Sequence, residues 1–277
     1  MGMSRFARRP LTAMLALSAV LSGCASWTQP ATQGDPSNAV SYGYQPLDPF
    51  PIKIIADPAG KKPAPSDVLD ALPDETMRMA IGKLDVNGNI SYGPTSISAA
   101  NSKYVVTIDY VKSNTIPMFV KKSPGSKPNM FTVATVAKGA DANMSVPIYV
   151  GVGVRLTANL TTTQAGINLG NLIAIGAAAQ ANALTGTIVI QTLGLSGENI
   201  STALPIPNDV SVASIQSAIQ ALGTMKAKLY DTSKTTIQPR VVGVYNNLGG
   251  GSETINGFIS SVLENPPPLT VPIQAKQ

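Results

Sequence analysis

The sequence contains no histidine and only one cysteine, Cys24. Without histidine, a serine or cysteine nucleophile has no imidazole to take its proton, zinc loses its commonest ligand, and no side chain titrates near neutrality unaided. A single cysteine excludes an intramolecular disulfide and any cysteine-based metal cluster. Charge is scarce too. Charged residues make up 13% of the 277, about half the usual share, and hydrophobic residues 44%. That balance argues against a disordered polyelectrolyte, and the length suffices for one large core or two small ones. The net charge of +5 does not imply nucleic acid. Removing Arg5, Arg8 and Arg9, which open the chain, leaves 17 of the 20 basic residues against 15 acidic, a net of +2.

Those three arginines are followed by an apolar run, Leu11 to Leu21, and then by small residues before Cys24, the order of a secretory signal. Eleven residues in a helix span about 17 Å, well short of the ~30 Å bilayer core, so the run is not a stable membrane span. Leu21-Ser22-Gly23-Cys24 resembles the bacterial lipobox, with all four positions fitting at the end of the apolar run. The resemblance implies that the Cys24 thiol receives a diacylglyceryl group, that cleavage falls between Gly23 and Cys24, and that the new amino group is acylated. Two or three acyl chains, at about 0.8 kcal/mol per buried methylene, would hold the protein on a membrane. Ala25 rather than Asp after the cysteine favours, by analogy with enterobacterial sorting, the outer membrane.

Between Ala25 and Pro73 nine prolines interrupt the chain, a density that opposes continuous helix or central strand and predicts an extended tether. Tyr42, Tyr44, Leu47, Phe50, Ile52, Ile54 and Ile55 form an aromatic and aliphatic patch within it, suited to docking on the domain or on a partner. Asp67, Asp70, Asp74 and Glu75 gather four carboxylates in nine residues. They read more readily as helix-start and turn residues than as an acid/base or cation site. Asp85-Val-Asn87-Gly88-Asn89 reads as a hairpin turn, because its glycine comes too early for a calcium loop.

Strands are predicted over Lys103–Lys112, Thr115–Lys122 and Met130–Ala137. Six lysines and the single Asp109 fall between Lys103 and Lys138, a bias that fits a lysine-protected sheet edge or a face for anionic head groups or glycans. From Val146 to Thr161 apolar and small or polar residues alternate with period two, predicting one long strand with an apolar face. Arg155 is the only charged residue between Ala142 and Gly197. Three readings compete for this stretch: a bent core strand, a surface packed on sister subunits, or a segment of an oligomeric barrel. A helix follows over Asn168–Thr185, a strand over Thr187–Leu195, and a second helix from Asp209 or Ser211 to about Leu229. Val212, Ile215, Ile219, Leu222 and Met225 form its apolar stripe. A strand over Thr236–Asn246, a glycine-rich turn and a third helix, Glu253–Glu264, complete the pattern before Pro266 to Pro268.

The expected fold class is α+β, an antiparallel or mixed sheet with about three helices, preceded by the Pro-rich tether. The expected organisation is a signal peptide over 1–23, tether over 24–75, globular domain over 76–264 and Pro-rich tail over 265–277. Asn247-Leu-Gly249-Gly250-Gly251-Ser252 has the order of a phosphate cradle but lacks the lysine and third glycine that a nucleotide site needs. Gly194-Leu-Ser196-Gly197 has the wrong spacing for a nucleophile elbow. A carboxylate pair of the glycoside-hydrolase kind is the remaining catalytic option, and the carboxylates after Glu75 are scattered. No enzyme activity, metal or cofactor is expected. Arg155 and Arg240 are candidates for an ion pair or ligand contact, since a buried arginine must be paired. Lys121 and Lys122 are candidate anion contacts. The leading expectation is a lipid-anchored, non-catalytic outer-membrane lipoprotein acting through envelope proteins or self-association, with the membrane and not nucleic acid as partner. A glycan- or lipid-binding module is the alternative, and a carboxylate-based hydrolase the third reading.

Overall fold

The computed structural model describes residues 43–93, 97–126, 131–204 and 208–273, apart from the side chain of Asn199. Leu21, Ser22, Gly23 and Cys24, with the rest of the expected signal peptide and the start of the tether, lie outside the described residues. In chain order the elements are β1 (Gly43–Pro51), β2 (Lys53–Asp57), α1 (Pro65–Asp70), β3 (Asp74–Leu84), β4 (Ile90–Tyr92), β5 (Ser102–Pro124) and β6 (Phe131–Val136). They continue with β7 (Met144–Thr162), α2 (Leu172–Gln180), β8 (Leu184–Leu193), β9 (Leu195–Ser196), α3 (Glu198–Ser201), β10 (Asn208–Asp209) and α4 (Val212–Leu229). The last are β11 (Thr236–Ile237), β12 (Arg240–Asn246), α5 (Ser252–Glu264) and β13 (Pro268–Pro272). The fold is α+β, as expected: an antiparallel nine-stranded sheet with, among the described residues, four helices of six residues or more. No helix of the described residues is long and apolar enough to cross a membrane.

Two long strands organise the sheet. The two predicted strands over 103–122 fuse into the 23 residues of β5, which pairs antiparallel with the 19 residues of β7 from Ser102–Thr162 to Val120–Met144. Each outer edge of this ribbon is shared by two shorter strands. β12 covers β7 from Ile148 to Gly151 and β8 covers it from Gly153 onward, while β3 and β6 divide the outer edge of β5. The handover on β7 falls at Gly151 and Gly153. A Cβ on Gly153 would sit 2.0 Å from the Tyr110 carbonyl oxygen, and one on Gly151 2.3 Å from that of Lys112. Only glycine permits so close an approach of the two strands.

The even-numbered side chains of β7 from Val146 to Leu160 are at most 2% exposed, so the period-two pattern is that of a core strand. Complete burial of a Val or Leu side chain stabilises by about 1.5–3 kcal/mol, which makes this row the main apolar seam of the domain. Leu169, Leu172 and Ile175 around α2 join the same core, as do Ile215, Leu222 and Met225 of α4 and Phe258 of α5. Ser211 caps α4 by accepting the Ser214 amide at 3.1 Å, as its sequence position suggested. Val212 and Ile219, expected in the inward stripe, are instead 39% and 46% exposed. The first predicted helix shortens to α2 because Asn171 caps it, accepting from the Ile173 and Ala174 amides, and left-handed Asn182 closes it.

The tether expectation needs correction over residues 43–75. β1 forms the edge of the main sheet against β12, and β2 pairs in parallel with β13, which itself lies in the expected C-terminal tail. Proline is compatible with this because an edge strand leaves alternate amides without a ladder partner. Tyr44, Leu47 and Phe50, in the aromatic and aliphatic patch, dock on the domain itself and are at most 9% exposed. The carboxylate-rich segment forms α1, with Asp67 accepting the Ala64 amide at 2.8 Å, as helix-start residues do. Asp85 accepts the Asn87 and Asn89 amides at 2.8 Å each, the hairpin turn that joins β3 to β4.

Candidate functional site

The odd-numbered face of β7 carries the chemistry. In register, Arg155 sits opposite Asp109 on β5, and both side chains are buried, at 5% and 0% exposure. The Arg155 Nε donates to Asp109 Oδ1 at 2.7 Å and Nη2 to Oδ2 at 2.6 Å, a bidentate pair. Nη2 also donates to the Val242 carbonyl at 2.7 Å and Nη1 to the Leu47 carbonyl at 2.6 Å. The Leu47 carbonyl is available because β1 loses register with β12 between Pro46 and Phe50, where Pro49 offers no amide to the ladder. The Tyr44 hydroxyl donates to the second Asp109 oxygen. Burial, then the Asp109 charge, push the Tyr44 hydroxyl well above its ordinary pKa, so it remains a donor. Burial works against the Arg155 charge as well, but the hydrogen bonds and charge of Asp109 outweigh it and hold its pKa above the ordinary value. Arg155 is thus the paired arginine that an apolar run demands, and its partner is Asp109.

Above this network Tyr44 packs over Gly243, where a Cβ would lie 2.4 Å from its ring, and tilts against Tyr149 at 5.6 Å between centroids. Arg78 lies 3.9 Å from the Tyr149 ring centroid, a cation–π contact that covers the cluster.

Further along the same face the covering strands end and a cavity of about 730 Å³ opens. Arg155, Thr107, Thr157, Asn159 and Gln191 supply its polar lining. Its walls are the irregular Pro46–Phe50 segment, Ile90 and Tyr92 of β4, Val189 of β8, and Ile259 and Leu263 of α5. Arg155 uses four of its five N–H bonds on Asp109, Val242 and Leu47. The Tyr44 hydroxyl interacts with the same guanidinium, whose edge lines the cavity. Burial raises the Tyr92 pKa, and its hydroxyl shares a hydrogen bond with Thr107 that partly opposes the shift. A volume near 700 Å³ falls within the usual range of small-molecule pockets.

The other candidates do not converge here. Arg240 bonds only Gln238, at 3.2 Å on the surface. Lys121 and Lys122 are neighbours on β5 and so point to opposite faces, 12 residues or more from Asp109 along the strand. Lys122 donates to the Leu248 carbonyl at 2.9 Å and lies 4.0 Å from the Phe131 ring centroid; its burial lowers its pKa. The glycine-rich turn is packed rather than open, for a Cβ at Gly250 would meet the Phe131 carbonyl at 2.1 Å.

A second charged cluster joins three elements near the start of β3. Glu75 accepts from Tyr110 at 2.6 Å, from Tyr230 at 2.5 Å and from Lys226 at 2.7 Å. Hydrogen bonds from Lys226, then Tyr110 and Tyr230, lower its pKa to about 2 from an ordinary 4.5. The same bonds raise Tyr230 to about 12. The cluster clamps the C-terminal end of α4 to the sheet. Among the described residues no three His, Cys, Asp or Glu side chains gather as a metal-holding group.

Sequence reasoning found Arg155 but missed Asp109 as its partner, and it missed the pocket residues Tyr92, Thr107, Thr157, Asn159 and Gln191. The polar half of the period-two pattern was the only signal for Thr157 and Asn159, and Tyr92, Thr107 and Gln191 lie outside that pattern. No known protein family, no curated protein and no solved structure matches the chain.

Proposed function

We propose that the protein is a lipid-anchored, non-catalytic component of the outer cell envelope whose domain holds a small ligand in the cavity on the odd-numbered face of β7. The observation that carries the binding reading is a cavity of about 730 Å³ lined by Asn159 and Gln191, whose side-chain amides bond no other described residue. Asp109 is already occupied by Arg155 and Tyr44, and Glu75 by Lys226, Tyr110 and Tyr230, which leaves Asp48 as a single carboxylate on the cavity without a second one to pair with. A lone carboxylate in the lining favours holding over paired acid/base catalysis. Anchoring rests on the lipobox resemblance at Cys24. Native mass spectrometry of the full chain extracted from its membrane tests the binding reading: a bound small molecule, lost in Thr157→Trp, is expected, and an identical bare mass for both proteins contradicts it. Labelled palmitate on the wild type, absent from Cys24→Ser, is expected for the anchor.

A second reading, an accessory subunit of an envelope assembly, is favoured by apolar side chains on α2 and α4, which pack together. Ile173 is 71% exposed, Ile219 46% and Val212 39%. A detergent-extracted particle heavier than one chain, reduced to one chain by Ile173→Asp, would support it.

A further inference from the structure

Resting on the binding reading above, we infer that the guest of this cavity is a neutral oligosaccharide. The cavity offers no net attraction for an anion: the Arg155 charge is offset by Asp109 at 2.6 Å, Asp48 adds a carboxylate, and no lysine lines it. Nor does it suit an acyl chain. Thr157, Asn159 and Gln191 would all give up water without gaining a partner under a hydrocarbon guest.

A sugar meets both requirements. Its hydroxyls donate and accept, as do the Asn159 and Gln191 amides, neither of which bonds another described residue. The Asp48 carboxylate accepts from hydroxyls. The carbon-bound hydrogens of a sugar ring form an apolar face for Tyr92, Ile90 and Val189. Asn159 and Gln191 stand on adjacent strands, β7 and β8, two pairs apart, with Thr157 and Val189 opposite each other between them. This neutral row continues beyond the cavity through Thr187 and Thr161, both exposed, so the face can follow a chain of sugars outward.

Calorimetric titration of the full chain, held in a detergent without a sugar head group, with maltotriose, cellotriose and chitotriose tests the inference. Binding of at least one trisaccharide is expected. Asn159→Ala and Gln191→Ala should each weaken it about tenfold, the value of one lost hydrogen bond, at an unchanged unfolding midpoint. The absence of heat with all three sugars, or binding indifferent to both variants, overturns the inference. Palmitate or inorganic phosphate binding that Thr157→Trp abolishes also overturns it, while leaving the pocket reading in place.

Discussion

The two faces of β7 differ in what limits their residues. On the even face, Val146 to Leu160 are sealed along the whole strand. On the odd face burial is complete only at Gly151, Gly153 and Arg155; toward the cavity Thr157 is half-buried and Asn159 and Thr161 are exposed, and toward the other end Tyr149 and Pro147 are half-buried and Ser145 is exposed. One face is set by core packing throughout, whereas the other passes from packing to open chemistry within a few residues. The buried Arg155–Asp109 pair stands at that transition, holding β1 and β12 over the closed end, with its guanidinium edge lining the open end.

The largest effect should come from breaking that pair. Asp109→Leu leaves the Arg155 charge without its carboxylate and is expected to cost about 3–5 kcal/mol in urea unfolding. Adding Arg155→Met should return part of that loss, with a coupling of at least about 1.5 kcal/mol; strictly additive losses would mean the two side chains act independently. On the sealed face, Leu156→Ala should cost about 2–5 kcal/mol by opening a cavity. A loss below 1 kcal/mol in the same denaturant series would show that the even row is loosely packed.

The Glu75 cluster sharpens the contrast because it is a charged clamp outside both faces. Its carboxyl pKa is depressed to about 2, so its contribution is present above the unfolded value of about 4.5 and is lost as pH falls toward 2. Glu75→Gln should therefore flatten the decline of the melting temperature between those pH values, and an unchanged slope would contradict the clamp. The smallest effect is expected at Ser113, whose buried hydroxyl lacks a partner opposite Gly151. Ser113→Ala should be neutral or stabilise by up to about 1 kcal/mol in thermal melts, and a clear loss would reveal a partner for the hydroxyl.

Much of the apolar framework was legible because periodicity is a local property. The period of two from Val146 to Thr161 marked β7, and Ser211 marked the start of α4. What escaped was non-local. Asp109 lies 46 positions before Arg155, and only the register of β5 on β7 brings them together. The argument that a buried arginine needs a partner applies equally to the lone Asp109 in the apolar Tyr104–Val111 run, and this was the available clue. The prolines concealed β1, since proline density speaks against central strands but not against an edge. The pocket draws on β1, β4, β5, β7, β8 and α5, so no window of sequence could display it.

Asn159 sits where the odd face has opened, three residues from sealed Leu156, and separates holding a ligand from holding the fold. Native mass spectrometry and thermal melting of the full chain carrying Asn159→Ala measure both at once. The expected result is a small-molecule adduct markedly reduced, in line with about tenfold weaker binding, at a wild-type melting temperature. An undiminished adduct, or a melting temperature that falls as it does for Leu156→Ala, would contradict the division of β7 into a face for the fold and a face for the ligand.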